Sequence, residues 1–178
     1  MAEHTADLLL RAHWLPTPAA AQPQPDPLLL SWLTEPGLLT GRLRASCGRE
    51  FRLEVLHADP SLRREVGLCC GPRRCVYAAT EAPDSTVDAH PWLLEMGTAS
   101  LGETLQQQSA ASDLRVTRSE FHFACFRAGT LPATVLDPAA DAWGRRSRFA
   151  LNGLPLTVTE VFLPALLEHE QSRLRAAG

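Results

Sequence analysis

Two charged residues fall on strand faces whose other positions are apolar. Arg64, Val66, Leu68 and Cys70 alternate along one segment, and Leu154, Leu156, Val158 and Phe162 share a face with Glu160 along another. A charge withdrawn from water costs several kcal/mol unless it is paired or neutralised. Three arrangements satisfy the pattern. Arg64 and Glu160 form a buried ion pair, or each sits at a strand end and reaches solvent. In the third, they line a closed pocket, where Arg64 meets a small molecule's carboxylate through two parallel N–H···O bonds and Glu160 meets its hydroxyl.

Other chemistry is excluded or weakly signalled. All 17 basic residues are Arg, so Schiff-base, pyridoxal-phosphate and P-loop lysine chemistry are absent. The lack of Lys and Ile is the bias of a GC-rich genome, yet it leaves Arg as the permanent cation for any bound anion. The five cysteines, Cys47, Cys69, Cys70, Cys75 and Cys125, are odd in number and irregularly spaced. They read as reduced thiols in a cytoplasmic protein, without zinc-ligand spacing and without a disulfide framework. His122 lies mid-strand with no nucleophile patterned beside it. Arg145, Arg146 and Arg148 read as a solvated basic face, and no glycine-rich phosphate loop is present.

The elements that must hold Arg64 and Glu160 belong to one α+β domain. The chain has 178 residues, 45% of them hydrophobic, and a net charge of −3, which gives no electrostatic footprint for nucleic acid. The first residues lack the pattern of a signal peptide, and no apolar run is long enough to span a membrane. Residues 1–26 form a Pro-rich lead-in, with 15–27 extended and non-helical, and 27–178 form the domain. Asp26-Pro27 starts a helix that Pro36-Gly37 ends, and a short helix through Leu38, Leu39 and Leu43 follows. Phe51, Leu53 and Val55 alternate on the inner face of a strand, and residues 64–70 and 75–79 form a hairpin. Ser100 to Glu103 is a capping box opening a helix to about residue 109. Residues 115–127 read as one strand. Asn152-Gly153 between apolar runs is a type I′ hairpin turn, and Thr157 and Thr159 face water. A last helix after Pro164 carries Leu166, Leu167 and Leu174. Hairpins with helices set apart imply an antiparallel sheet.

The run Trp143 to Phe149 (WGRRSRF), with Asn152-Gly153 and Thr159-Glu160-Val161-Phe162-Leu163-Pro164, resembles the chorismate lyase family. Arg64-Glu65-Val66 with Leu68-Cys69 is similar to that family's substrate-binding strand, and Leu94 to Gly102 is similar to its loop before a helix. The resemblance covers about Pro27 to Pro164. It implies an α+β fold of about six antiparallel strands flanked by helices, with a sequestered site under two helical flaps. The implied activity splits chorismate into 4-hydroxybenzoate and pyruvate, the first committed step of ubiquinone biosynthesis, without metal or organic cofactor. Carried over by position, Arg64 binds the ring carboxylate and Glu160 faces the ring hydroxyl, as base or orienting group. Leu101 contacts ligand through its backbone and Leu39 lines the site. Arg145, Arg146 and Arg118 are candidates for the second carboxylate. The implied protein is a cytoplasmic monomer acting on a small molecule, with no nucleic-acid partner and no membrane insertion. A non-catalytic domain of the same fold that senses aromatic carboxylates is the alternative. Residues 128–141, the tail after Leu167 and the flap Gly97-Thr98-Ala99-Ser100 depart from the family pattern.

Overall fold

Asn152 and Gly153 take φ values of 50° and 90°, the left-handed pair that a type I′ turn requires. In the computed structural model, which describes residues 5–21, 23–119 and 121–177, this turn joins β6 (Ala142–Leu151) to β7 (Leu154–Phe162). The other strands are β1 (Phe51–Ala58), β2 (Arg63–Cys70), β3 (Arg73–Glu81), β4 (Val116–Arg118) and β5 (His122–Phe126). They form one antiparallel sheet of seven strands in the order β1-β2-β3-β7-β6-β4, with β5 also on β6. The expected antiparallel α+β architecture is therefore the observed one.

Helices bracket this sheet. Asp26 Oδ1 accepts from Leu28 N at 2.8 Å to cap α2 (Pro27–Leu33). After Pro36-Gly37 the chain re-enters a helix, α3 (Leu39–Cys47). α4 (Asp84–Ala89) follows β3, and Ser100 caps α5 (Leu101–Ala111) through Glu103 N at 3.3 Å. Leu29, Trp32, Leu33, Leu39 and Leu43 pack with Val66, Leu68, Val76 and Phe162 in one core cluster. A second cluster lies on the opposite sheet face, where α1 (Thr5–Arg11) and residues 131–136 cover Tyr77, Ala79 and Val161.

That second layer corrects the sequence reading of β7. Thr159 is buried, not water-facing, because the long 128–141 segment supplies Leu131, Val135 and Leu136 to cover its face. Four further expectations change. The predicted strand 115–127 is two strands: β4 pairs with residues 149–151 of β6 and β5 with residues 142–146. In β1 the register slips between Val55 and His57, so Val55 on this edge strand is exposed while Leu56 packs against the second cluster. Residues 15–27 are not extended throughout: Thr17 caps a short 3-10 turn at Pro18–Ala20. In α6 (Pro164–Ala177) Leu166 is buried but Leu174 is exposed, the helix having run past the core.

The five-thiol expectation also fails. Cys47 at the end of α3 and Cys70 at the end of β2 are joined as a disulfide, with Cα atoms 5.5 Å apart across 23 residues of sequence. Packing of α3 on β2 creates the pair, which no spacing rule in the sequence announces.

Gly144 lies where β6 packs tightly against its neighbours. A Cβ there would stand 2.7 Å from Phe126 Cε2 and 3.1 Å from the Glu160 carbonyl oxygen. Gly144→Val is expected to cost about 1–3 kcal/mol by overpacking, read as a lowered Tm in a thermal melt. An unchanged Tm would show that β6 and β7 separate freely at this point.

Candidate active site

The hairpin register places one charge opposite another. Leu151 pairs with Leu154, so Arg145, six residues before Leu151, faces Glu160, six residues after Leu154. Arg145 Nε donates to Glu160 Oε2 at 2.5 Å, and the Arg145 side chain is 2% exposed. Its Nη1 donates to the carbonyls of Trp32, Leu33 and Glu35 at 3.4, 3.3 and 2.8 Å. These carbonyls lie at and just beyond the C-terminal end of α2, where helix geometry leaves acceptors without intrahelical donors. Arg145 thus holds Glu160 and ends α2 with a cation in one contact set. It is not on the solvated basic face expected from the Arg145-Arg146-Arg148 run.

Arg64 and Glu160 share the same sheet face but do not pair. Across the register Arg64 aligns with Thr80 and Val158, whereas Val66 aligns with Ala78 and Glu160. Arg64 is 5% exposed, and its Nη2 donates to the carbonyls of Gly97 and Ala99 at 2.9 Å each. Both acceptors are neutral. Burial pulls the Arg64 guanidinium below its ordinary pKa, the mark of a cation short of compensating charge.

A cavity of about 510 Å³ separates the sheet face from the helices, within the usual range for a small-molecule site. Its floor carries Arg64, Thr80, Glu160, Arg145 and Phe149; its roof carries Leu39 and Thr40 of α3 with Leu101, Gly102 and Leu105 of α5. All four residues expected in the site, Arg64, Glu160, Leu101 and Leu39, line this one space. Arg44 of α3 and Glu103 of α5 bridge the two roof helices at 2.9 Å. Gly102 approaches Leu38 so closely that a Cβ would sit 2.5 Å from Leu38 Cδ2.

Arg118 on β4 is the third cation of the cavity. Its Nη2 donates to the Pro36 carbonyl, and its guanidinium lies 4.8 Å from the Phe121 ring centroid and 5.9 Å from that of Phe149. Burial, then the positive charge of Arg145, holds Arg118 below its ordinary pKa, while Glu160 acts in the opposite sense. Arg146 points away: it is absent from the cavity lining, and its guanidinium stacks on Trp14 at 4.4 Å. Of the three arginines weighed for a second carboxylate, one is committed to Glu160, one faces elsewhere, and Arg118 remains. The Arg145–Glu160 pair was missed from side-chain alternation alone. The signal that finds it is the two-residue turn, which sets the cross-strand register.

Among the described residues, this apolar cavity holds two cations without carboxylate partners and one ion-paired acid, an arrangement that can receive a small anion. The comparisons agree with that class. The model of the chorismate lyase family matches residues 57–172. A "Probable chorismate pyruvate-lyase" of Pseudomonas aeruginosa (strain UCBPP-PA14) is 36% identical over 160 residues, covering 79% of this chain and 86% of the relative. That of Methylococcus capsulatus is 32% identical over 165 residues, covering 80% and 98%. The "Chorismate pyruvate-lyase" of Erwinia tasmaniensis is 30% identical over 185 residues, covering 93% of each. The chain belongs to the chorismate lyase family.

Removing Arg145 would leave Glu160 unpaired against the apolar floor. Arg145→Met is expected to destabilise the fold by about 3–5 kcal/mol in chemical denaturation. Arg145→Met/Glu160→Gln should recover more than half of that loss; a double variant no more stable than the single one would refute the ion-pair account.

Proposed function

We propose that the cavity converts chorismate to 4-hydroxybenzoate and pyruvate, the first committed step of ubiquinone biosynthesis. The observation that carries this reading is the placement of Arg64, Glu160 and Arg118 around one apolar space. Chorismate presents a ring carboxylate, a hydroxyl across the ring from it, and an enolpyruvyl ether with a second carboxylate next to that hydroxyl. Arg64 takes the ring carboxylate, Glu160 accepts from the hydroxyl, and Arg118, near Arg145 and Glu160, takes the enolpyruvyl carboxylate. Leu101 at the start of α5 and Leu39 on α3 close over the ring, and the α5 N-terminus adds a partial positive charge to the anion site.

The reaction breaks the ether C–O bond and removes the hydrogen at the hydroxyl-bearing carbon. The ring becomes aromatic, and the three-carbon fragment leaves as pyruvate after gaining that proton. Aromatisation supplies the driving force, so positioning is the main demand on the protein. The enolpyruvyl methylene can receive the hydrogen internally. Glu160, the cavity's one acidic side chain among the described residues, orients the hydroxyl for this step. Closure of α3 and α5 excludes water from the reacting ether.

The direct test incubates the protein with chorismate and follows 4-hydroxybenzoate and pyruvate. Equal amounts of both are expected; binding without turnover would support a sensing domain instead. Arg64→Ala should lower affinity for 4-hydroxybenzoate by about 10–100-fold, the worth of a charge-assisted contact. Near-normal product affinity would remove Arg64 from the anchor role.

Arg118→Ala separates the two carboxylates. Chorismate should bind about 10-fold or more weakly, while 4-hydroxybenzoate, which lacks the second carboxylate, keeps its affinity within about 2-fold. Equal losses for both ligands would place Arg118 elsewhere in the chemistry. Glu160→Gln should retain measurable turnover, and abolished turnover would assign the proton to Glu160. Dialysis against EDTA is expected to leave the rate unchanged, as measured in the same assay.

A further inference from the structure

The Cys47–Cys70 disulfide lies outside the cavity, yet both of the elements it joins contribute to it. Cys47 ends α3, whose first residues Leu39 and Thr40 roof the cavity; Cys70 ends β2, whose second residue is Arg64. His169 of α6 packs on both sulfurs. Cys70 Sγ lies 3.5 Å from Nδ1 and 3.5 Å from Nε2, and Cys47 Sγ lies 4.0 Å from Nε2. The three donors are close enough together to surround a cation, but two of them are bonded to each other as a disulfide, and the sulfur that ligates a metal is a thiolate.

The surroundings support an exchange role. Ser46 Oγ is 3.1 Å from His169 Nε2 and also donates to Glu170 Oε1, a buried carboxylate oxygen 3.9 Å from that same nitrogen. Ser46 and Glu170 thereby hold the ring against the sulfurs. The two cysteines are buried, but His169 is 26% exposed and opens one edge of the group to solvent. The neighbouring Cys75 thiol is pushed up to about 11 by burial, so it stays protonated and does not compete for the disulfide.

We propose that Cys47, Cys70 and His169 form a thiol–disulfide exchange site through which a dithiol–disulfide couple sets the mobility of α3 over the cavity. In the reducing direction a dithiol's thiolate attacks Cys47 Sγ. The Cys47–Cys70 bond breaks, and Cys70 departs as a thiolate within 3.5 Å of the His169 ring nitrogens and then takes a proton. The reductant's second thiol displaces Cys47 from the mixed disulfide. The chain gains two electrons and two protons, and the dithiol becomes a disulfide; oxidation is the reverse. With the bond closed, the C-terminal end of α3 is fixed to the strand of Arg64. With it open, local opening of α3 loses a covalent restraint.

The test treats the whole chain with dithiothreitol or with its oxidised form. Oxidation should leave three of the five cysteines titratable, with a Cys47–Cys70 peptide recovered on non-reducing mapping. Reduction should lower Tm by about 5–10 °C and speed amide exchange over residues 39–47 at least several-fold. Both differences should vanish in Cys47→Ser and in Cys70→Ala. His169→Ala should still form the bond but reduce several-fold more slowly. Five free thiols after oxidation would overturn the proposal, as would unchanged amide exchange despite a formed bond. One equivalent of zinc retained by the reduced protein and lost in His169→Ala would also overturn it. None of these readouts needs turnover, so their failure is distinct from failure of the lyase reading.

Discussion

The Arg145–Glu160 ion pair is the constraint around which the site is arranged. Both groups lie on the apolar face of the central strands, where neither could stand alone at tolerable cost. The pair is made possible by the Asn152-Gly153 turn, because a hairpin one residue longer would move Glu160 away from Arg145. It is completed by the carbonyls at the end of α2, which accept from Arg145 Nη1. The break at Pro36-Gly37 follows directly, so the entry to the roof helix α3 depends on the same arginine.

With Arg145 committed, the remaining charges of the cavity are set apart in a way that suits a dianion. Arg64 is held by two flap carbonyls on one side of Glu160, and Arg118 is held by Pro36 and aromatic faces on the other. Neutral carbonyls and ring faces orient a guanidinium without cancelling its charge. An incoming carboxylate therefore meets a positioned cation and gains most of the charge-assisted contact. The carbonyls that hold Arg64 belong to Gly97 and Ala99, in the flap that departs from the family pattern, so flap position and the orientation of Arg64 are mechanically linked. The Arg44–Glu103 bridge between the roof helices is exposed and adds little stability of its own. The Cys47–Cys70 bond is the stronger restraint on α3.

Much of this was legible in the chain. Side-chain alternation singled out Arg64 and Glu160 because a period of two makes a misplaced charge visible, and the capping box and the Asn-Gly turn located α5 and the central hairpin. The run from Trp143 to Pro164 carried the family. Position by position, Leu39 and Leu101 line the cavity, although nothing in their own local pattern marks a leucine for a cavity wall. Three of the readings that fail share one cause: local pattern places Thr159 at water, Leu174 in a core and five cysteines as free thiols, and each outcome depends on what another segment covers or approaches.

The sequence by itself determined the antiparallel hairpins, the helix caps, the two charges on apolar faces and the family. These follow from short-range geometry and from motifs a few residues long. Only the tertiary structure decided that the carbonyls at the end of α2 close around Arg145, that Arg118 faces the cavity while Arg146 does not, and that Cys47 meets Cys70. Those outcomes depend on strand register and helix packing, which bring together residues up to 124 positions apart, and no local preference encodes such a distance.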